Sequence, residues 1–309
     1  MRKNNISGLF SLILFFVLIP LSGCGTTAAL IEKINPKNIY TSIREPKPEL
    51  KKKVMVVPFL DYARTGSEKT NEITTDFAAR LTESPYILVY SAPEEVSPPQ
   101  GTSSPKLGIF INPGLIKIAR DSGMNALITG VLNSINISSE RKGIWPFRRS
   151  VKAFELSLVV NVIETTGGTI LLTNLEMEKI TISLEEAEFQ EEKEILTHVL
   201  VKAVPSMLKR QAEAVTRALL TKTWTGKILA VKNDAIKINA GEEVGLKPGH
   251  RFEVFALGKP IKSKSGLPYR LLGEKVGEIE ANTVMEDFST AKPLAEGNFR
   301  PGQVIRFIR

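Results

Sequence analysis

KKKVMVVPFLD, spanning 51–61, carries an almost unbroken apolar run from Val54 to Leu60. A strand with one wet face alternates polar and apolar residues, whereas a strand apolar on both sides needs cover on both. This stretch therefore calls for layers above and below it. The next residues can supply one. Ile73, Phe77 and Leu81 recur at helical spacing in NEITTDFAARL, and YILVYS at 86–91 reads as a second strand.

Pro93, Pro98, Pro99 and Pro105 then mark a loop without periodicity. Asn112 and Pro113 supply an N-cap and a first-turn proline, and Gly123 ends that short helix. ALITGVLNSINIS, FELSLVVNVIE and TILLTNLEMEKITIS read as three strands, the last two joined as a hairpin by the turn at 165–168. Ser183 and Glu186 form a capping-box pattern before a long helix. Its apolar stripe is Phe189, Leu196, Val199, Leu200, Leu208, Val215 and Leu219, and Pro205 should kink or split it. The order β-α-β-α-β-β-β-α is an α/β layer fold with a mixed sheet, assigned to 51–222. KKVMVVPFLD, YILVYS and ARDSGMNALITGVLNSINI resemble the periplasmic domain shared by CsgG-type curli-secretion lipoproteins and the TolB N-terminal domain. The middle domain of flagellar assembly protein T is similar.

From Thr223 the pattern changes to short strands: TGKILAVKN, DAIKINAG, HRFEVFALG, KVGEIEANTV, FSTAKPL and QVIRFI. Ile236 and Ile238 face one side and Lys237 the other. LKPGHRFEVF and FRPGQVIRFI each place Pro-Gly, suited to a type II turn, before an alternating strand. Many short strands with such turns predict a small closed β-barrel over 223–309. VKNDAIKINAGEEVGLKPGHRFEVF and SKSGLPYRLLGEKVGEIEANTV also resemble the C-terminal domain of flagellar assembly protein T. No counterpart of that protein's own N-terminal domain is evident, so a flagellar role does not follow.

The chain's single cysteine, Cys24, follows a positive start (Arg2, Lys3) and an apolar run from Leu9 to Leu21. That run is too short to cross a bilayer as a helix, which takes about 20 residues. It reads as a secretory leader over 1–23, with 24–50 a proline-bearing tether. Leu21, Ser22, Gly23 and Cys24 resemble a bacterial lipobox. The resemblance implies thioether attachment of a diacylglyceryl group to Cys24, cleavage between Gly23 and Cys24, and acylation of the new amine, with palmitate among the acyl chains. Gly25 after the cysteine implies sorting to the outer membrane, facing the periplasm. An inert cysteine behind an ordinary leader is the alternative. No disulfide can form within the chain.

Without Arg2 and Lys3 the 41 basic residues become 39 against 33 acidic, a net charge of +6. Export argues against nucleic acid and for anionic lipid, envelope polymers or envelope proteins as partners. With only His198 and His250, no HExxH and no cysteine cluster, neither a metal site nor a bound cofactor is expected. GxSxG, P-loop and GxGxxG motifs are also missing. Asp61 and Asp76 are candidates for a carboxylate pair in an envelope hydrolase, and solvated or capping acids otherwise. We expect no catalytic residues.

RKGIWPFRR puts Ile144, Trp145 and Phe147 at a loop tip flanked by Arg141, Lys142, Arg148 and Arg149. Such a tip suits a membrane interface or a partner hot spot, unless its aromatics fold back onto the sheet. Lys259, Lys262, Lys264, Arg270 and Lys275 stand against Glu274 alone in GKPIKSKSGLPYRLLGEK. They fit an anionic partner or a solvated hairpin tip. Phe154, Leu156, Leu158, Val160 and Val162 share one strand face, which invites comparison with the membrane-spanning hairpins of curli-secretion pores. Asn174, Glu176 and Glu178 on the neighbouring strand suit lipid poorly. The expected function is a non-catalytic, membrane-anchored binding or assembly component of the envelope. An oligomeric secretion-channel subunit is the first alternative.

Overall fold

The computed structural model describes residues 50–93, 105–233, 235–262 and 268–308, with backbone alone at 262 and 268. The leader, nearly all of the tether, Gly23, Cys24 and Lys264 lie outside the described residues, as does the side chain of Lys262.

β1 (Lys52–Val56) pairs in parallel with β3 (Ile87–Ser91) on one side and β4 (Ala126–Leu132) on the other. The apolar run does not stay one strand. Pro58 has no N–H for the ladder, and the Phe59 N–H goes instead to Thr74 Oγ1 at 3.1 Å. Pairing with β4 resumes at β2 (Leu60–Asp61). Val54 and Val56 face α1 (Ser67–Thr82), through Ile73, Phe77 and Leu81. Met55 and Val57 face Leu115, Ile116 and Ala119 of α2 (Pro113–Asp121). Helices on both sides explain why both faces of the run are apolar. Asn112 caps α2 as expected, its side chain accepting from the N–H groups of Gly114 and Leu115.

ALITGVLNSINIS is two strands rather than one. β4 ends at Leu132 and β5 (Asn136–Lys142) begins after a break at which the Asn133 amide donates to Ser157 Oγ at 3.0 Å and the Ser134 hydroxyl donates to Tyr62 O at 2.9 Å. β6 (Arg149–Glu164) pairs antiparallel with both, its first half along β5 and its second along β4. β7 (Ile170–Ser183) covers its other edge as the expected hairpin partner. The mixed sheet thus has a parallel half around β1 and an antiparallel half around β6.

The long helix breaks earlier than Pro205. Ser183 caps a short α3 (Leu184–Phe189), Gln190 adopts extended angles, and α4 (Glu192–Leu220) runs unbroken through Pro205. Pro205 sits on the exposed side, where water can solvate the carbonyl that loses its donor. Phe189, expected in the apolar stripe, is 91% exposed because the break carries it off the sheet. The other stripe residues pack on the sheet, joined by Ala203, Val204 and Met207. α4 also covers the apolar β6 face from Phe154 to Val162. Asn174, Glu176 and Glu178 find partners on the same helix. Arg210 donates to Glu176 at 2.6 Å and to Glu178 at 2.7 Å, and buried Gln211 donates to Leu158 O at 2.9 Å and Asn174 O at 3.1 Å. The Arg210 guanidinium holds the Glu178 carboxyl below its usual range.

A closed antiparallel barrel follows: β8 (Thr225–Lys232), β9 (Ala235–Ile238), β10 (Arg251–Lys262), β11 (Pro268–Val284), β12 (Ser289–Pro293) and β13 (Val304–Ile308). Their order around the barrel is β10-β11-β12-β9-β8-β13. Ile236 and Ile238 point into its core with Phe252 and Ile279, while the Lys237 ammonium lies 3.6 Å from the Phe288 ring centre. Gly249 (φ 88°) and Gly302 (φ 85°) occupy the positive-φ position of their Pro-Gly turns, as type II geometry requires.

The described residues all belong to one compact unit. Leu50 is buried in the barrel core and half-buried Leu88 packs against it. Trp224 Nε1 donates to Lys51 O at 3.0 Å, and the Lys51 N–H donates to Val244 O at 2.9 Å. Lys52, 3% exposed, reaches Thr223 O at 3.1 Å. Lys53, 8% exposed, forms an ion pair with Glu243, which also accepts from Tyr90 Oη at 2.7 Å. The lysine triplet that opens β1 is therefore the seam between sheet and barrel.

Candidate interaction surface

β5 and β6 run in register from Asn136↔Glu155 to Lys142↔Arg149 and leave 143–148 as their connection. Six of the seven β5 residues are exposed, so this hairpin end projects from the layer that buries β4 completely. Gly143 (φ 111°) begins the turn, and the Phe147 N–H closes it on Ile144 O at 2.7 Å. The side chains do not fold back. Ile144, Trp145 and Phe147 are 85, 78 and 83% exposed. Arg141, Lys142, Arg148 and Arg149 are exposed around them. Lys142 Nζ donates to Thr181 Oγ1 at 3.0 Å. The nearest acid along the strand, Glu140, is held by Lys179. An apolar tip within four cations, with no carboxylate between 141 and 149, combines apolar contact area with attraction to negative surfaces.

The other predicted residues lie elsewhere. Arg270 is half-buried, and its backbone N–H donates to Gly167 O at 2.8 Å. The β10–β11 hairpin thus rests on the β6–β7 turn rather than standing wholly in solvent. The structure does not bring Arg270 into the Trp145 tip's hydrogen-bond network. Asp61 Oδ2 accepts from Thr65 Oγ1 at 3.2 Å and the Gly66 N–H at 3.0 Å, organising the loop before α1. Asp76 is exposed on that helix. His198 is half-buried, and the His250 ring packs edge-on against Phe307 with centres 5.2 Å apart. Among the described residues no group of three His, Cys, Asp or Glu side chains is placed to hold a metal ion. No described helix is long and apolar enough to cross a membrane.

No family model matches the chain, and no curated protein matches it. Solved structures do show similarity. PelC from Paraburkholderia phytofirmans, a dodecamer, is 12% identical over 52% of this chain and 86% of its own, with a TM-score of 0.29. A hypothetical protein from Chlamydia trachomatis is 14% identical over 55% of this chain and 98% of its own, with a TM-score of 0.33. Lipoprotein GNA1162 from Neisseria meningitidis is 14% identical over 55% of this chain and 99% of its own, with a TM-score of 0.28. Likeness at this level carries no assignment of function.

Proposed function

We propose that this chain is a non-catalytic lipoprotein of the bacterial cell envelope, anchored through Cys24 and binding envelope proteins through the 141–149 tip. The carrying observation is the exposure of Ile144, Trp145 and Phe147 inside a collar of four cations. Large aromatics ringed by arginine are the residue types that dominate binding energy at protein interfaces. The LSGC sequence supports the anchor, and Gly25 supports the outer membrane. Several acyl chains, at about 0.8 kcal/mol per buried methylene, hold a protein at a membrane essentially permanently. Tethering then raises the effective concentration of the tip near partners in the same envelope.

The finer kinship rests on residues now placed in the fold. KKVMVVPFLD builds β1 and β2, and ALITGVL builds β4. These elements support a CsgG/TolB-type layer. The glycine-spaced segment from Val231 to Phe255 runs from β8 into β10, which supports a barrel of the flagellar assembly protein T type.

The test is capture of an envelope complex by affinity-tagged protein from crosslinked cells. Trp145→Ala should remove about 2 kcal/mol of binding, roughly a thirtyfold loss. Its unfolding temperature should stay at the wild-type value, because the indole is solvent-exposed. Unchanged capture by Trp145→Ala and Phe147→Ala would remove the tip as the binding site.

A further inference from the structure

α2, the turn after β6 and one wall of the barrel enclose a cleft of about 580 Å³. Small-molecule sites typically occupy about 300–1,000 Å³. Ile116, Met124, Leu257 and Val304 give it apolar lining, and Arg120, Lys227 and Arg270 bring cations. Among the described residues Asp121 is the one acid in the lining, and it is matched by Lys117 at 2.8 Å. Lys227 Nζ is also engaged, donating to Arg120 O at 3.1 Å and Asp121 O at 2.5 Å at the end of α2.

The two guanidinium groups are different. Arg120 commits its Nε to Thr165 O at 2.6 Å. Arg270 is fixed through its backbone N–H on Gly167 O. Among the described residues neither makes an ion pair. Asp121 and Glu164 both attract Arg120, but Asp121 is paired with Lys117 and the Glu164 carboxylate accepts from the N–H groups of Thr166 at 3.1 Å and Gly167 at 2.7 Å. Burial first, and then the Arg270 charge, hold the Arg120 pKa below its usual value. The lining carries Lys117, Arg120, Lys227 and Arg270 against Asp121 among the described residues, and an anion between the two guanidinium groups relieves their mutual repulsion. Guanidinium forks match the paired oxygens of phosphate and carboxylate.

We propose that this cleft binds a small amphiphilic anion, with a phosphate or carboxylate head at Arg120 and Arg270 and an apolar body against Ile116, Met124 and Leu257. The cleft is a site separate from the Trp145 tip, and its occupant is a small molecule.

Calorimetric titration of the full chain in dodecyl maltoside tests this with hexyl phosphate, hexanoate, inorganic phosphate and hexyltrimethylammonium. Saturable one-to-one binding of hexyl phosphate or hexanoate is expected, identifying the preferred head group. Inorganic phosphate should bind at least tenfold more weakly, because it makes no apolar contacts, and the cation should not bind. Arg270→Gln should weaken anion binding at least tenfold with an unchanged unfolding temperature, since only its backbone anchors the turn. Arg120→Gln should do the same, with its fold checked separately because it loses the Thr165 bond. The proposal is overturned by no saturable binding of either hexyl anion at millimolar concentration. It is equally overturned if both variants bind like wild type, or if inorganic phosphate binds as tightly as hexyl phosphate.

Discussion

Glu243→Gln tests whether sheet and barrel are held together by a charge pair at their seam. The substitution keeps the shape of the side chain and an amide oxygen to accept from Tyr90, but removes the charge opposite Lys53. Breaking a buried pair by neutralising one partner costs about 3–5 kcal/mol, because the other charge stays buried without compensation. Here the Lys53 side chain is 10% exposed and that of Glu243 22% exposed, so water recovers part of the loss and about 2–3 kcal/mol is expected. Lys53 also has Asn239 O at 3.5 Å, a weak acceptor for a full charge. Urea unfolding followed by tryptophan emission gives the free energy. Trp224 is buried at the seam and Trp145 is exposed, so a Trp145→Phe background isolates the informative indole. Adding Lys53→Met to Glu243→Gln should restore at least half of the loss by removing the stranded ammonium. A change below about 0.5 kcal/mol for Glu243→Gln, or no recovery in the double variant, would refute the reasoning.

Other consequences follow from burial. Phe77 is fully buried with the Phe59 ring 5.3 Å away, so Phe77→Ala should cost about 3–5 kcal/mol in the same urea assay. A Cβ at Gly130 would stand 2.4 Å from the Phe59 ring, so Gly130→Ala should destabilise by about 1–3 kcal/mol through overpacking. Burial holds the Lys52 pKa down at about 8, against an ordinary 10.5. The unfolded chain keeps that proton over the interval, so this group's contribution to stability is lost as pH falls through 8 and returns as pH rises toward 10.5. The full difference is about 3 kcal/mol at 1.36 kcal/mol per pH unit. Tyr90, raised by burial and by Glu243, acts in the opposite sense only above its ordinary value of 10.0. Unfolding at pH 7.5 and 9.5 should therefore show a rise that Lys52→Met reduces by more than half, the remainder coming from Lys227, which burial lowers in the same sense.

The layers were legible where one force decides the pattern. β1 is apolar on both faces because helices cover both, and Ile236 and Ile238 alternate with Lys237 because the barrel has an inside. Breaks were harder to see, because they depend on where individual backbone groups find partners. Pro58 interrupts the run at 54–60 through a missing donor, and Asn133 and Ser134 divide β4 from β5 through bonds to distant residues. The helix turned at Gln190 although Pro205 was the stronger local signal, since Pro205 faces water. For the site, a loop of cations around Trp145 was visible in sequence, while its exposure was a matter of tertiary structure. Arg120 gave no signal at all. It draws its meaning from Arg270, 150 positions later, which only the packing of barrel on sheet brings near.

Anchoring at the envelope is the claim on which the rest of the function depends. Intact-mass spectrometry of the protein purified from the membrane fraction addresses it directly. The account predicts a chain that starts at Cys24 and carries the added mass of a diacylglyceryl thioether and an amide-linked acyl group. An uncleaved chain with a free Cys24 thiol, recovered from the soluble fraction, would contradict it.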